Sequence, residues 1–280
     1  MMKDMRDVRK LSLGSRVLRA LPYVGVVVAM IVLAAPSVCD LIDAWHARTC
    51  ISTLSSTVDA LSADEKQRFF DQARRYNARL AGMAEPDDAS EELLPYEMQL
   101  CTDATTMMSW VEIRNIDVRL PVYHGTDDEE LSAGVGHLRQ SSLPVGGVST
   151  HCALTAHSGM ATSRMFDDIR MLEMGDVFVL WTLGEPFAYE VTGSEVVLPD
   201  QTSSLQVQVG EDLCTLVTCT PYGVNSHRLL VHAKRCDYNF ATVEEAPARV
   251  SSRNAPLYAG LALVVGTAVV VCIPRWIHRR

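Results

Sequence analysis

Glu211 to Val231 reads EDLCTLVTCTPYGVNSHRLLV, and the rest of the chain is organised around it. An apolar, β-rich run, Leu213 to Thr218, ends in Cys219. Thr220 to Asn225 follows as a turn containing Pro221 and Gly223. A second apolar run begins at Arg228, nine residues after the cysteine. Two strands joined in this way carry a thiol at the end of one and a guanidinium at the start of the next. Such an arrangement sets a reactive cysteine beside a fixed positive charge.

Strand patterning extends upstream. Trp110 to Ile113 and Ile116 to Val122 alternate apolar and polar residues around a turn at Asn115. Ser149 to Ala156 is a further strand candidate, and Ser163 to Leu172 reads as a short helix stopped by Gly175. Val177 to Leu183 and Phe187 to Leu198 read as a hairpin around Gly184, with Pro199 to Gly210 a polar connection. Many short strands at close spacing predict a closed or nearly closed barrel. Before it, Ser62 to Gly82 reads as a helix, with Ser62 and Glu65 forming a capping box. Phe69, Ala73, Tyr76 and Leu80 give that helix one apolar stripe. Ala84 to Leu100 is an acidic, turn-rich loop.

At 280 residues the chain has length for one or two domains and a buried core. Two stretches lack charge altogether, Ala20 to Cys39 and Asn254 to Pro274. Each is long enough to cross a bilayer as a helix, the first read as a retained anchor and not a cleaved signal. Lys3, Arg6, Arg9, Lys10, Arg16 and Arg19 precede the first, and Arg275, Arg279 and Arg280 follow the second. Both termini are therefore expected in the cytoplasm, with the intervening residues outside and lipid as a partner. The net charge of −9 and the lack of a basic stripe outside the tails exclude a nucleic-acid binder. No pair or cluster of the eight cysteines has zinc-ligand spacing, so no metal is expected.

A nucleophilic cysteine needs a proton donor and acceptor and a stabiliser of developing charge. His157, at the end of CALTAHSG, stands on its strand as Cys219 stands on its own. Side by side and parallel, the two strands would carry thiol and imidazole to one rim. Arg228 stays protonated and cannot be the base. It can hold a carbonyl oxygen as that oxygen becomes an oxyanion. His124 and His137 read as structural, and His151 has no evident partner.

LVTCTPYGVNSHRLLV resembles the active-site segment of sortases, the cysteine transpeptidases of Gram-positive surfaces. TLVTCTPYG…HRLLV is most similar to class C, the pilin-polymerising sortases. LPVYHGT (120–126), GVGHL (134–138), SSLPVGG (141–147) and the segment around His157 resemble the same class, in family order. The second apolar span also resembles class C. The resemblance implies a mainly β fold: an eight-stranded sortase β-barrel with short helices, an N-terminal helix and two transmembrane helices. It implies His157, Cys219 and Arg228 as catalytic residues and no cofactor. It implies cleavage of an LPXTG-like sorting signal between Thr and Gly through a thioacyl bond to Cys219. The acceptor would be a pilin lysine, or a cell-wall precursor amine as in wall-anchoring relatives, with water giving hydrolysis. A binding-only, inactive barrel is the competing reading.

The expected organisation is a basic tail (1–19), a span (20–39), an N-terminal helix with lid loop (40–104) and a catalytic barrel (105–238). A linker (239–253), a second span (254–274) and a short tail (275–280) follow. Class C sortases often carry an Asp-Pro-aromatic lid, and this chain has no such tripeptide. Asp87, Asp88 and Tyr96 are the candidate replacements. Thr218 and Thr220 flank the nucleophile and are candidates for shaping the substrate groove. Cys152 and Cys214 each lie five residues before a catalytic candidate. On adjacent parallel strands they would share the opposite face, within disulfide reach.

Overall fold

The computed structural model describes residues 13–83, 93–102, 106–160, 163–238, 249 and 260, with side chains from residue 24 onward. The chain divides into two compact units. One holds Asp40–Ser251 and the other holds the chain up to Cys39 and from Ser252.

Helix α1 runs over Leu13–Ala60, well past the expected end of the first span. Within the first unit it exposes Val24, Val28, Ile31 and Val32, each more than half accessible. An unbroken exposed apolar surface of this length suits a helix in lipid. The continuation after Asp40 has a different cause. Ala47, Ile51, Leu54 and Val58 recur at helical spacing and are buried, so tertiary packing extends the helix through a stretch of mixed composition. The second expected span lies outside the described residues apart from Gly260, which is helical.

Helix α2 covers Ala63–Leu80. Its capping box forms as read. The Ser62 N–H donates to Glu65 (2.9 Å), and the Ser62 hydroxyl oxygen accepts from the Glu65 N–H (3.3 Å). The buried face is rotated from the expected stripe, onto Phe70, Ala73 and Asn77, while Leu80 is exposed. Asn77 explains the shift. Its amide donates to the Leu143 carbonyl (3.2 Å) and accepts from the Leu143 N–H (2.7 Å). A polar residue satisfied by a barrel loop can sit on a buried face, and apolar periodicity does not register it.

Eight strands follow: β1 Met107–Ile113, β2 Val118–His124, β3 Val135–His137, β4 Thr150–Thr155, β5 Val177–Thr182, β6 Glu185–Val197, β7 Asp212–Thr220 and β8 His227–Arg235. They close a barrel in the order β1-β2-β3-β4-β7-β8-β6-β5. A short helix α3, Asp128–Ala133, precedes β3. Sequence patterning alone registers neither, since elements of six and three residues repeat their periods too few times to stand out. The β5–β6 hairpin turns on Leu183 and Gly184, both at positive φ, which matches the strand twist of a two-residue hairpin. The helix expected over Ser163 to Leu172 is absent among the described residues. Turns lead there into a single 3₁₀ turn, Ile169–Met171. Phe166 and Ile169 are fully buried, so the segment is shaped by what it plugs. Inside the barrel, Leu154, Leu216, Phe178 and Tyr189 are inaccessible to solvent.

Candidate active site

The parallel pairing of β4 with β7 brings the sequence-read residues together. Thr155 stands opposite Val217, and the Ala156 N–H donates to the Val217 carbonyl (3.2 Å), carrying the register on toward His157 and Cys219. Cys219 is directly opposite Arg228 on antiparallel β8. His157, Cys219 and Arg228 all line one cleft of about 320 Å3. Its floor includes Leu138, Ala153, Val217 and Leu230, and its wall is Leu198, Pro199 and Leu205 of the β6–β7 connection. That connection reads as polar in the sequence. Leu198, Pro199 and Leu205 are turned to the cleft, while Val209 is exposed.

Local contacts hold the three groups. The His157 carbonyl accepts from the Phe166 N–H (3.1 Å), and the Ser158 hydroxyl donates to the Cys219 carbonyl (2.7 Å). The next loop residue must be small. A Cβ on Gly159 would lie 3.0 Å from the Gly223 nitrogen, where the loop after β4 passes the turn after β7. The Gly159 N–H donates to Asp167 (2.7 Å). The Arg228 guanidinium is steered by the Asn225 and His227 carbonyls (3.2 and 3.1 Å). Among the described residues, no hydrogen bond engages the Cys219 thiol or the His157 ring, which leaves both for a bound molecule.

Thr218 and Thr220 do not line this cleft. Strand alternation turns them from the face that carries Cys219. The Thr218 hydroxyl is spent on the Ala156 carbonyl (2.8 Å), so it ties β7 to the end of β4 just before His157.

Tyr96 is also absent from the cleft lining. Its side chain is buried and its hydroxyl accepts from the Gly125 N–H (3.0 Å). The same hydroxyl lies 2.8 Å from His137 Nδ1. His137 Nε2 faces the Ser142 carbonyl (2.9 Å), which assigns it the ring proton and makes Nδ1 the acceptor of the Tyr96 O–H. Burial pushes the Tyr96 phenol well above its ordinary range. A tyrosine so engaged anchors the segment before the barrel and is no plug over Cys219. Asp87 and Asp88 lie outside the described residues.

Cys152 and Cys214 are directly opposed on β4 and β7, inside the barrel, and both are buried free thiols. Burial opposes ionisation of either. Contacts with Cys214 and His137 turn Cys152 the other way, while Cys214 is held above the ordinary thiol range.

Comparison with known proteins agrees with this fold. The sortase domain model matches residues 111–236. The structure of sortase C1 from Streptococcus agalactiae is 36% identical with a TM-score of 0.63, covering 68% of this chain and 100% of that one. The chain belongs to the sortase family. A second sortase structure, sortase C of Clostridium perfringens with the C-terminal cell wall sorting motif, is also 36% identical. Its TM-score is 0.60, and the match covers 69% of this chain and all of that one. Sortase D of Bacillus subtilis (strain 168) is 32% identical over 129 residues, 45% of this chain. That match spans 62% of the relative's own length.

Proposed function

We propose that this sortase is a membrane-anchored cysteine transpeptidase acting on LPXTG-like sorting signals. The observation that carries the reading is the direct pairing of Cys219 with Arg228 in a cleft that His157 also lines. Cys219 Sγ attacks the threonine carbonyl of the signal. The His157 imidazolium protonates the departing glycine amine as the C–N bond breaks, and Arg228 holds the oxygen that carries transient negative charge. A thioester to Cys219 remains. The neutral imidazole then takes a proton from an incoming amine, which attacks the thioester and releases the Cys219 thiolate, restoring the thiolate–imidazolium pair that began the cycle. The apolar floor and the Leu198–Leu205 wall fit the leucine and proline of such a signal. A relative whose structure is described with a cell wall sorting motif supports the substrate class.

The acceptor under this reading is a pilin lysine, which makes the reaction a pilus polymerisation. The exposed apolar surface of α1 supports anchoring in a membrane, with a second span at 254–274 and both termini in the cytoplasm. The test incubates the full chain, in detergent, with LPXTG-type peptides and follows Cys219 by mass spectrometry. An adduct with the mass of the peptide up to threonine is expected, discharged faster by an added lysine-containing pilin peptide than by water. No adduct across several peptides overturns the catalytic reading in favour of a binding barrel. Discharge by a wall-precursor amine but not by lysine makes the protein a wall-anchoring sortase.

A further inference from the structure

Four residues before the catalytic rim, the same sheet face carries an unbroken line of polar contacts. His151 Nδ1 faces the Gln206 carbonyl (3.0 Å), and His151 Nε2 lies 2.7 Å from Thr215 Oγ1. Thr215 Oγ1 lies 2.9 Å from His232 Nδ1, and His232 Nε2 lies 3.2 Å from Glu195 Oε1. Thr215 stands opposite His232 on β7 and β8, as Cys219 stands opposite Arg228.

Both ends of this line are acceptors, a carbonyl and a carboxylate. Its four contacts therefore need four hydrogens. Two neutral imidazoles and one hydroxyl supply three. A neutral line must leave one contact as two facing lone pairs, and one added proton completes it. Burial holds the His151 ring below the ordinary histidine range, with a further lowering from nearby His232. The proton therefore belongs on His232, whose Nε2 faces a carboxylate. The other charged groups beside this line, Glu211 and Lys234, pair with each other (2.5 Å).

The line fastens something. Gln206 lies on the β6–β7 connection, and so does Ser204, whose side chain lies beside the Glu195 carboxylate. These two attachments flank Leu205, which lines the catalytic cleft. We propose that His151, Thr215, His232 and Glu195 form a proton-completed clamp on the β6–β7 connection. The clamp positions Leu205 in the cleft wall, so peptide affinity falls when it loses its proton. These are positioning residues, and their effect on affinity rests on the cleft being a peptide site. The sign follows from the count. The clamp is whole when the line holds its fourth hydrogen, and its Glu195 contact is lost when that proton leaves at higher pH.

Glu195→Gln separates this from a merely structural role. The glutamine amide supplies the fourth hydrogen to His232 Nε2, so the line is complete without a proton. Hydrogen exchange of residues 198–211 in the full chain is compared between wild type and Glu195→Gln at the same pH, which cancels intrinsic rates. At about pH 5.5 the two should match, and at about pH 8 wild type should exchange about threefold faster. A ratio that does not change with pH overturns the clamp. Thr215→Val, which cuts the line in the middle, should speed exchange at both pH values. With an LPXTG peptide, the wild-type to Glu195→Gln ratio of KM should rise about threefold over the same pH range, with the kcat ratio constant. A flat KM ratio overturns the link to the cleft. If no peptide is turned over, the proposed function fails while the exchange result still decides the clamp.

Discussion

Cys214 and Cys219 stand on one strand, five residues apart, and have little else in common. Cys214 is inaccessible, faces the barrel interior and is opposed by Cys152. Cys219 is partly exposed at the rim, opposed by Arg228 and lining a cleft with His157. Strand geometry alone makes this difference, since an odd step reverses the face. The interior thiol is packed and inert by enclosure. The rim thiol has an open approach, a fixed cation beside it and no hydrogen bond among the described residues to occupy it. Reactivity at one and packing at the other are thus consequences of position on a strand.

The strongest way to break this contrast is to truncate each thiol in turn. Cys219→Ala should lower kcat/KM for an LPXTG-type peptide by about 10⁴-fold or more. Cys214→Ala should leave turnover intact and lower unfolding free energy by about 1 kcal/mol in a denaturant titration. A catalytic loss from Cys214→Ala in a folded protein would end the division of roles. Thiol labelling sharpens it next. In the native protein Cys219 should react at least about 10³-fold faster than Cys152 or Cys214, which must wait for global opening. Once the unreduced protein is unfolded, all eight cysteines should react. Two missing thiols would instead reveal a Cys152–Cys214 bridge.

Removing the cation beside the rim thiol is the next largest effect. Arg228→Ala should reduce kcat by about 10²- to 10³-fold, read in single-turnover kinetics. An unchanged kcat would remove Arg228 from oxyanion stabilisation. The smallest effect lies between the two cysteines, at Thr218. Thr218→Val removes the hydroxyl tie to Ala156 and should cost about 1 kcal/mol of stability with KM unchanged. A raised KM there would restore Thr218 to the substrate groove.

Much of this molecule is legible along the chain because its signals are local. The Cys219–turn–Arg228 unit is contained in one hairpin, and the capping box of α2 in four residues. His157 is found by the likeness of its strand end to that of Cys219, which the parallel β4–β7 register then joins. Other features carry no local signal. Asn77 on a buried helix face needs Leu143, 66 residues away, to be explicable. Tyr96 reads as an aromatic available to cover a thiol, but Gly125 and His137 claim its hydroxyl. His151, without an evident partner in sequence, acquires Gln206 and Thr215 across two strand crossings.

The sequence by itself determined which residue types could do chemistry and which face of each strand they take, because alternation and turn residues act within a few residues. Only the tertiary structure decided which of those groups keep their hydrogen-bonding capacity. A side chain's partners are set by elements distant in the chain, and in a closed barrel those partners decide whether a thiol, a phenol or an imidazole is free to react or is held in the wall.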